Sequence, residues 1–195
     1  MKVAIIKYNA GNVQSVLFAL ERIGINAIIT NNVDELKTSD KIIFPGVGEA
    51  SSAMSYLKEN GLDNVILNLK QPVLGICLGM QLMCNYSEEG NTKCLGIFNN
   101  QIKLFPSNNT VKVPQIGWNT IYNLKTNLYT GFKKDEYMYF VHSYYAEIGK
   151  STVAKTIHGL EYSSSLQKDN FYGVQFHPEK SGTAGQAALE NFIKL

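Results

Sequence analysis

The segment Pro72-Val73-Leu74-Gly75-Ile76-Cys77-Leu78-Gly79 sets the tightest constraint on what this chain can fold into. Pro72 to Ile76 reads as a short buried strand, and Met80-Gln81-Leu82-Met83 as the helix that follows it. A G-x-C-x-G string at a strand-to-helix junction has the form of a nucleophile elbow, with Cys in the place of Ser. So sharp a turn packs backbone against both flanks of its tip. Gly75 and Gly79 remove the side chains that would collide there. A thiol at the head of a helix also meets the positive end of the helix dipole, which favours the reactive thiolate. An isolated cysteine after a strand reads as a small core residue. The symmetric glycines make Cys77 a candidate nucleophile instead.

A thiol nucleophile needs a base, and the chain has 3 histidines, His142, His158 and His177. His177 lies in Tyr172-Gly173-Val174-Gln175-Phe176-His177-Pro178-Glu179. Pro178 restricts His177 to extended backbone, and residues two apart in extended chain point to one side. Glu179 is therefore placed to fix the His177 tautomer and to stabilise its imidazolium. His142 has no neighbouring carboxylate in sequence and reads as a structural or gating residue. His158 reads as a surface residue.

Composition narrows the remaining classes. The 195 residues carry 18 basic and 16 acidic side chains, a net charge of +2 with no basic stripe, which argues against nucleic acid as a partner. Cys77, Cys84 and Cys94 have no C-x-x-C spacing and no histidine nearby, so neither a metal site nor a cofactor is expected. A reactive thiol suits a reducing compartment. The chain opens on a strand-like run, Lys2 to Tyr8, without a signal peptide, and has no apolar stretch near the roughly 20 residues that span a bilayer. The expectation is a cytoplasmic protein with no membrane association. No G-x-x-x-x-G-K-[ST] phosphate loop is present.

The first half alternates strand and helix. Val3–Ile6, Ala27–Ile29, Lys41–Phe44 and Pro72–Ile76 read as strands. Helices are expected after Asn12, which is a candidate cap, from about Glu49 to Asn60, and on to about Leu69. That alternation predicts a mostly parallel α/β sheet with flanking helices, its ligands beyond the carboxyl ends of the strands. The loop Pro45-Gly46-Val47-Gly48 and Cys77 both follow strands, so they are expected to share one crevice. From Gly96 onwards shorter, antiparallel strands are expected. Pro106-Ser107-Asn108-Asn109 and Ser163-Ser164-Ser165 act as punctuation, Tyr137–Tyr145 and Tyr172–Phe176 as strands, and Thr183–Leu195 as a closing amphipathic helix. No linker interrupts residues 1–195, which predicts one domain.

Gly-Ile-Cys77-Leu-Gly-Met-Gln81 together with Phe-His177-Pro-Glu179 resembles the triad-type (class I) glutamine amidotransferases, nearly end to end. Asn9-Ala-Gly-Asn12, Pro45-Gly-Val-Gly48, Pro114-Gln-Ile-Gly-Trp118-Asn119, Tyr139-Phe-Val-His142-Ser-Tyr144 and His177-Pro-Glu-Lys180-Ser181 narrow the resemblance to the glutaminase subunits of histidine biosynthesis. One departure is Gln115, where the family has His. The resemblance implies hydrolysis of L-glutamine by Cys77, His177 and Glu179, with the backbone N–H groups of Val47 and Leu78 as the oxyanion hole. It implies substrate contacts from Gly48, Gly79, Gln81, Ser143 and Tyr144. It also implies a TIM-barrel cyclase as heterodimer partner, docked near Asn12, Trp118, Tyr139 and Lys180. Two alternatives stay open: an amidotransferase subunit of a paralogous sugar-modification system, and a catalytically silent regulatory subunit.

Overall fold

The computed structural model describes residues 1–9, 12–106 and 111–195. Ala10 and Gly11 of the Asn9–Asn12 string, and Ser107 to Asn109 of the first punctuation cluster, lie outside the described residues. The strands are β1 (Val3–Ile6), β2 (Ala27–Thr30), β3 (Lys41–Phe44), β4 (Val73–Ile76), β5 (Tyr86–Ser87), β6 (Thr92–Lys93) and β7 (Gln101–Leu104). They continue with β8 (Gln115–Ile121), β9 (Glu136–His142), β10 (Tyr144–Ala146), β11 (Thr152–His158), β12 (Leu160–Lys168) and β13 (Phe171–Val174). The helices are α1 (Val13–Arg22), α2 (Val33–Lys37), α3 (Ala50–Glu59), α4 (Leu62–Leu67), α5 (Leu78–Leu82) and α6 (Gly182–Lys194).

The main sheet runs β2-β1-β3-β4-β13-β12-β10-β7-β5-β6, with β11 paired to β12. It is parallel from β2 through β13 and antiparallel from β13 to β7. Alternate residues of the short parallel strands face opposite layers, so both sides must be covered. Val3, Ile5, Ile43 and Leu74 pack with α1 and α6, through Val16, Leu20, Leu189 and Phe192. Ala4, Ile6, Ile42 and Val73 pack with α2 to α5, through Leu36, Met54, Leu57, Ile66 and Leu82. Helices this short do not persist alone in water; burial of such side chains, about 1.5–3 kcal/mol each, holds them.

Two strand assignments change. Ser163 to Ser165 are fully buried inside β12 and do not break it. Serine is small enough for the sheet interior when its hydroxyl finds an acceptor, and Ser163 Oγ donates to the Glu147 carbonyl at 2.8 Å. The expected single strand from Tyr137 to Tyr145 is two. β9 pairs with β8 in a separate two-stranded sheet, whereas β10 joins the main sheet beside β7. The chain changes sheets at Ser143, whose carbonyl accepts from the Phe105 N–H at 3.0 Å. Among the described residues no helix is long and apolar enough to cross a membrane.

Candidate active site

The carboxyl ends of β3, β4 and β13 converge on one cavity of ≈ 350 Å³. Cys77 stands at its floor with φ 52 and ψ −110, a left-handed conformation for a residue with a side chain. Backbone held there costs about 1–3 kcal/mol and persists only where packing enforces it. The enforcement is visible on both flanks. A Cβ on Gly79 would overlap the Phe44 carbonyl oxygen, and one on Gly75 would stand 2.8 Å from the Met80 nitrogen. The elbow is tied down further by the Cys77 N–H, which donates to the Val174 carbonyl of β13 at 2.8 Å.

His177 and Glu179 meet beside the sulfur. His177 Nδ1 lies 2.8 Å from Glu179 Oε1, and the side chains of both are almost completely buried. The expected extended geometry holds only for His177 itself. Pro178 to Lys180 form a 3-10 turn, and that turn brings the carboxylate back onto the ring. Burial alone would push the imidazole pKa down. Hydrogen bonds to the Cys77 sulfur and the Glu179 carboxylate outweigh it and hold the pKa up at about 10. Both partners thus favour the protonated ring.

Asn12 does not cap α1. It sits at the cap position with φ 72 and makes no side-chain cap bond. Its amide instead donates to Glu179 Oε1 at 2.6 Å, where a charged acceptor gives the stronger bond. His142 lies on the same cavity wall, buried, with Nδ1 2.7 Å from the Tyr144 carbonyl. Burial lowers its pKa to about 3, so this ring stays neutral. His158 is less exposed than expected: it packs edge-on against Phe105 and bonds the Lys112 carbonyl at 2.8 Å.

Val47, Gly48, Leu78, Gln81, Ser143, Tyr144 and Lys180 line the cavity with Cys77 and His177. Gly79 does not line it and packs beneath the elbow. The Leu78 N–H donates to the Gly46 carbonyl at 3.3 Å, so that donor is engaged by the Pro45–Gly48 loop. Tyr8 anchors the loop through a 2.7 Å bond from its hydroxyl to the Pro45 carbonyl. Trp118 is 56% exposed and meets Tyr139 edge-on across the β8–β9 pair. Gln115 points inward, its Oε1 accepting from the Tyr162 hydroxyl at 2.9 Å, so this departure from the family pattern lies away from that exposed face.

Pro114 and Val141 also line the cavity, and two polar residues at the site escaped the sequence reading. Glu89 lines the cavity from a turn that no motif marks. Burial raises its pKa, and Oε2 accepts from the Ala50 N–H at 2.8 Å. Gln175 is fully buried behind the cavity floor, and its amide lies 3.5 Å from the Cys77 sulfur. A polar residue between the apolar Val174 and Phe176, just past the end of β13, was its available signal. Among the described residues no cluster of three or more His, Cys, Asp or Glu side chains is arranged to hold a metal.

The family profile described as glutamine amidotransferase class-I matches residues 4–195. The imidazole glycerol phosphate synthase subunit HisH of Bacteroides fragilis is 57% identical over the whole of both chains. The subunit of that name from Haemophilus influenzae is 43% identical over 100% of this chain and 98% of its own. A solved structure described as a glutamine amidotransferase superposes with a TM-score of 0.74 over 98% of this chain and 97% of its own. At 16% identity that likeness speaks for the fold alone.

Proposed function

This chain belongs to the class I glutamine amidotransferases and, within them, to the HisH subunits of imidazole glycerol phosphate synthase, and on that premise we propose how its cavity works. The chain is the glutaminase of a two-part enzyme. It hydrolyses the side-chain amide of L-glutamine to glutamate and ammonia, and the ammonia serves a cyclase subunit. The lyase activity belongs to the complex. The relatives' names favour this over a sugar-modification paralogue. The intact elbow, imidazolium and carboxylate favour it over a silent regulatory subunit.

The Cys77 thiolate attacks the amide carbon, and the oxygen takes up the charge. The His177 imidazolium gives its proton to the departing nitrogen, leaving a thioester and a neutral ring. That ring then takes a proton from water as the water oxygen attacks the thioester, and returns a proton to the sulfur or keeps it as imidazolium. Glu179 holds the ring and its charge, and Asn12 holds Glu179. Glu89 and Gln81 at the cavity wall suit the substrate ammonium, with backbone groups of Ser143, Tyr144 and Gly48 at the same end.

The oxyanion needs the N–H groups of Leu78 and Val47. In this conformation the Leu78 donor is taken by Gly46. Losing one such donor costs about 3 kcal/mol in the transition state. This supports a chain of low activity alone, in which a peptide flip in the loop frees the donor when a liganded partner docks. The exposed Trp118, with Ile116 and Tyr137 on the same face of the β8–β9 pair, Tyr139 beside it and Lys180 lining the cavity, suits the docking of a HisF-type TIM-barrel cyclase as a heterodimer. Such a partner would combine the ammonia with its own phosphorylated nucleotide substrate, whose cleavage gives imidazole glycerol phosphate and AICAR. A reducing cytoplasm suits the three free thiols.

The observation that carries the reading is Cys77 at the tip of a strained elbow with the His177–Glu179 pair beside it. Cys77→Ala tests it. Glutamate release is expected to vanish, while the complex still uses added ammonium. Glutamate release that survives the substitution would remove Cys77 from its role.

A further inference from the structure

Three side chains, Gln81, Gln175 and Cys77, form a polar relay at the elbow. Gln81 Nε2 donates to the Tyr144 carbonyl at 3.0 Å and to Gln175 Oε1 at 2.9 Å. Gln175 Nε2 then lies 3.5 Å from the Cys77 sulfur. Gln175 has no solvent exposure and Gln81 only 4%. Two buried amides in a core layer demand a reason, since each must have its polar atoms matched.

The polarity of the relay is forced. A backbone carbonyl only accepts, so Gln81 must present its NH2 to Tyr144. The second hydrogen of that NH2 then faces Gln175, which must answer with its oxygen. The NH2 of Gln175 is left facing the sulfur. Turning the Gln175 amide over would set two NH2 groups against each other. A fixed main-chain oxygen thus dictates, through two side chains, that an N–H points at Cys77.

We propose that Gln175 is a positioning residue for the nucleophile: its amide N–H donates to the Cys77 sulfur, and Gln81 locks it in that sense. The sulfur carries its fullest negative charge before attack and again when the thioester is cleaved. A donor aimed at it favours the thiolate at both points and fixes the rotamer that faces the substrate. The sulfur also lies 3.8 Å from the Val141 carbonyl, a contact that suits the thiol only. The thiolate would be repelled there, so the amide and His177 are its favourable partners.

The proposal rests on Cys77 being the nucleophile, and the two fail separately. Glutamate release by Cys77→Ala overturns the nucleophile. The present inference is read from the pH dependence of Cys77 alkylation by iodoacetamide in the full chain, followed on the peptide that contains Cys77. Gln175→Met keeps the volume and removes the donor. Its alkylation profile is expected to move to higher pH by about one unit. Gln81→Met, which unlocks the Gln175 amide, is expected to move it less and in the same direction. A folded Gln175→Met chain with an unmoved profile overturns the proposal, because a purely structural amide would change only the melting temperature. Should that variant not fold, the unaltered chain labelled with 15N decides. One Gln175 Nε2 proton is expected downfield, moving upfield as acid protonates the sulfur. Two protons at ordinary positions throughout overturn it.

Discussion

His142 and His177 share one cavity wall and are driven to opposite protonation states. The difference is the company each ring keeps: His177 has a carboxylate and a sulfur, His142 a backbone carbonyl and a phenol. The raised pKa of His177 predicts that glutaminase activity persists into alkaline solution and falls as pH approaches about 10. Glu179→Gln removes a group that favours the protonated ring. Its alkaline limb is expected at lower pH, with slower thioester formation in single-turnover trapping. Stability follows the same signs. His177 binds its proton more tightly when folded, so its contribution is complete below the unfolded value of 6.5 and is lost as pH rises towards about 10. His142 binds its proton more weakly when folded, so its contribution is complete above 6.5 and is lost as pH falls towards about 3. The urea midpoint of the parent is therefore expected to drop from about pH 7 to about pH 4 by more than that of His142→Asn.

The elbow and the loop beside it are two elements that use glycine for different reasons. Gly79 is needed for space, since a Cβ would enter the Phe44 carbonyl. Gly79→Ala is expected to destabilise the chain by more than about 2 kcal/mol, read as a lowered thermal midpoint. Gly48 is needed for conformation: its φ is +119, with nothing within 4 Å of an added Cβ. Gly48→Ala should leave the core intact but penalise the present loop conformation by about 1–3 kcal/mol. If the loop holds the glutaminase back, the ratio of partner-stimulated to basal activity is expected to fall in this variant; an unchanged ratio would assign the restraint elsewhere. Spacing alone revealed the elbow, because G-x-C-x-G states a steric demand directly. Spacing did not reveal the break at Ser143, because the residues on both sides of it suit strands equally well. The buried Ser163–Ser165 run misled for the converse reason: the acceptor that lets the Ser163 hydroxyl be buried, the Glu147 carbonyl, lies just past the end of β10 and 16 residues away in sequence.

At the scale of the whole molecule, the β8–β9 pair stands apart from the main sheet and has two unlike faces. Met138, Phe140 and His142 turn inward, whereas Ile116, Trp118 and Tyr137 are each more than half exposed. An indole left open beside Tyr139 suits a partner that covers it. Trp118→Ala is expected to weaken binding of the cyclase subunit by about 2 kcal/mol or more, roughly thirtyfold in Kd, with the basal glutaminase unchanged. Calorimetric titration of the two subunits reads it directly. What the sequence by itself determined was local: the parallel strands, most of the helices, the elbow, and the pairing of His177 with Glu179. These follow from spacing, side-chain size and backbone preference over a few residues. Only the tertiary structure decided that Asn12 serves Glu179 and not its helix, that Gln175 faces the sulfur, and that Glu89 enters the cavity. Each of those contacts depends on two segments far apart in sequence that burial of the sheet brings together, and no local pattern encodes such a meeting.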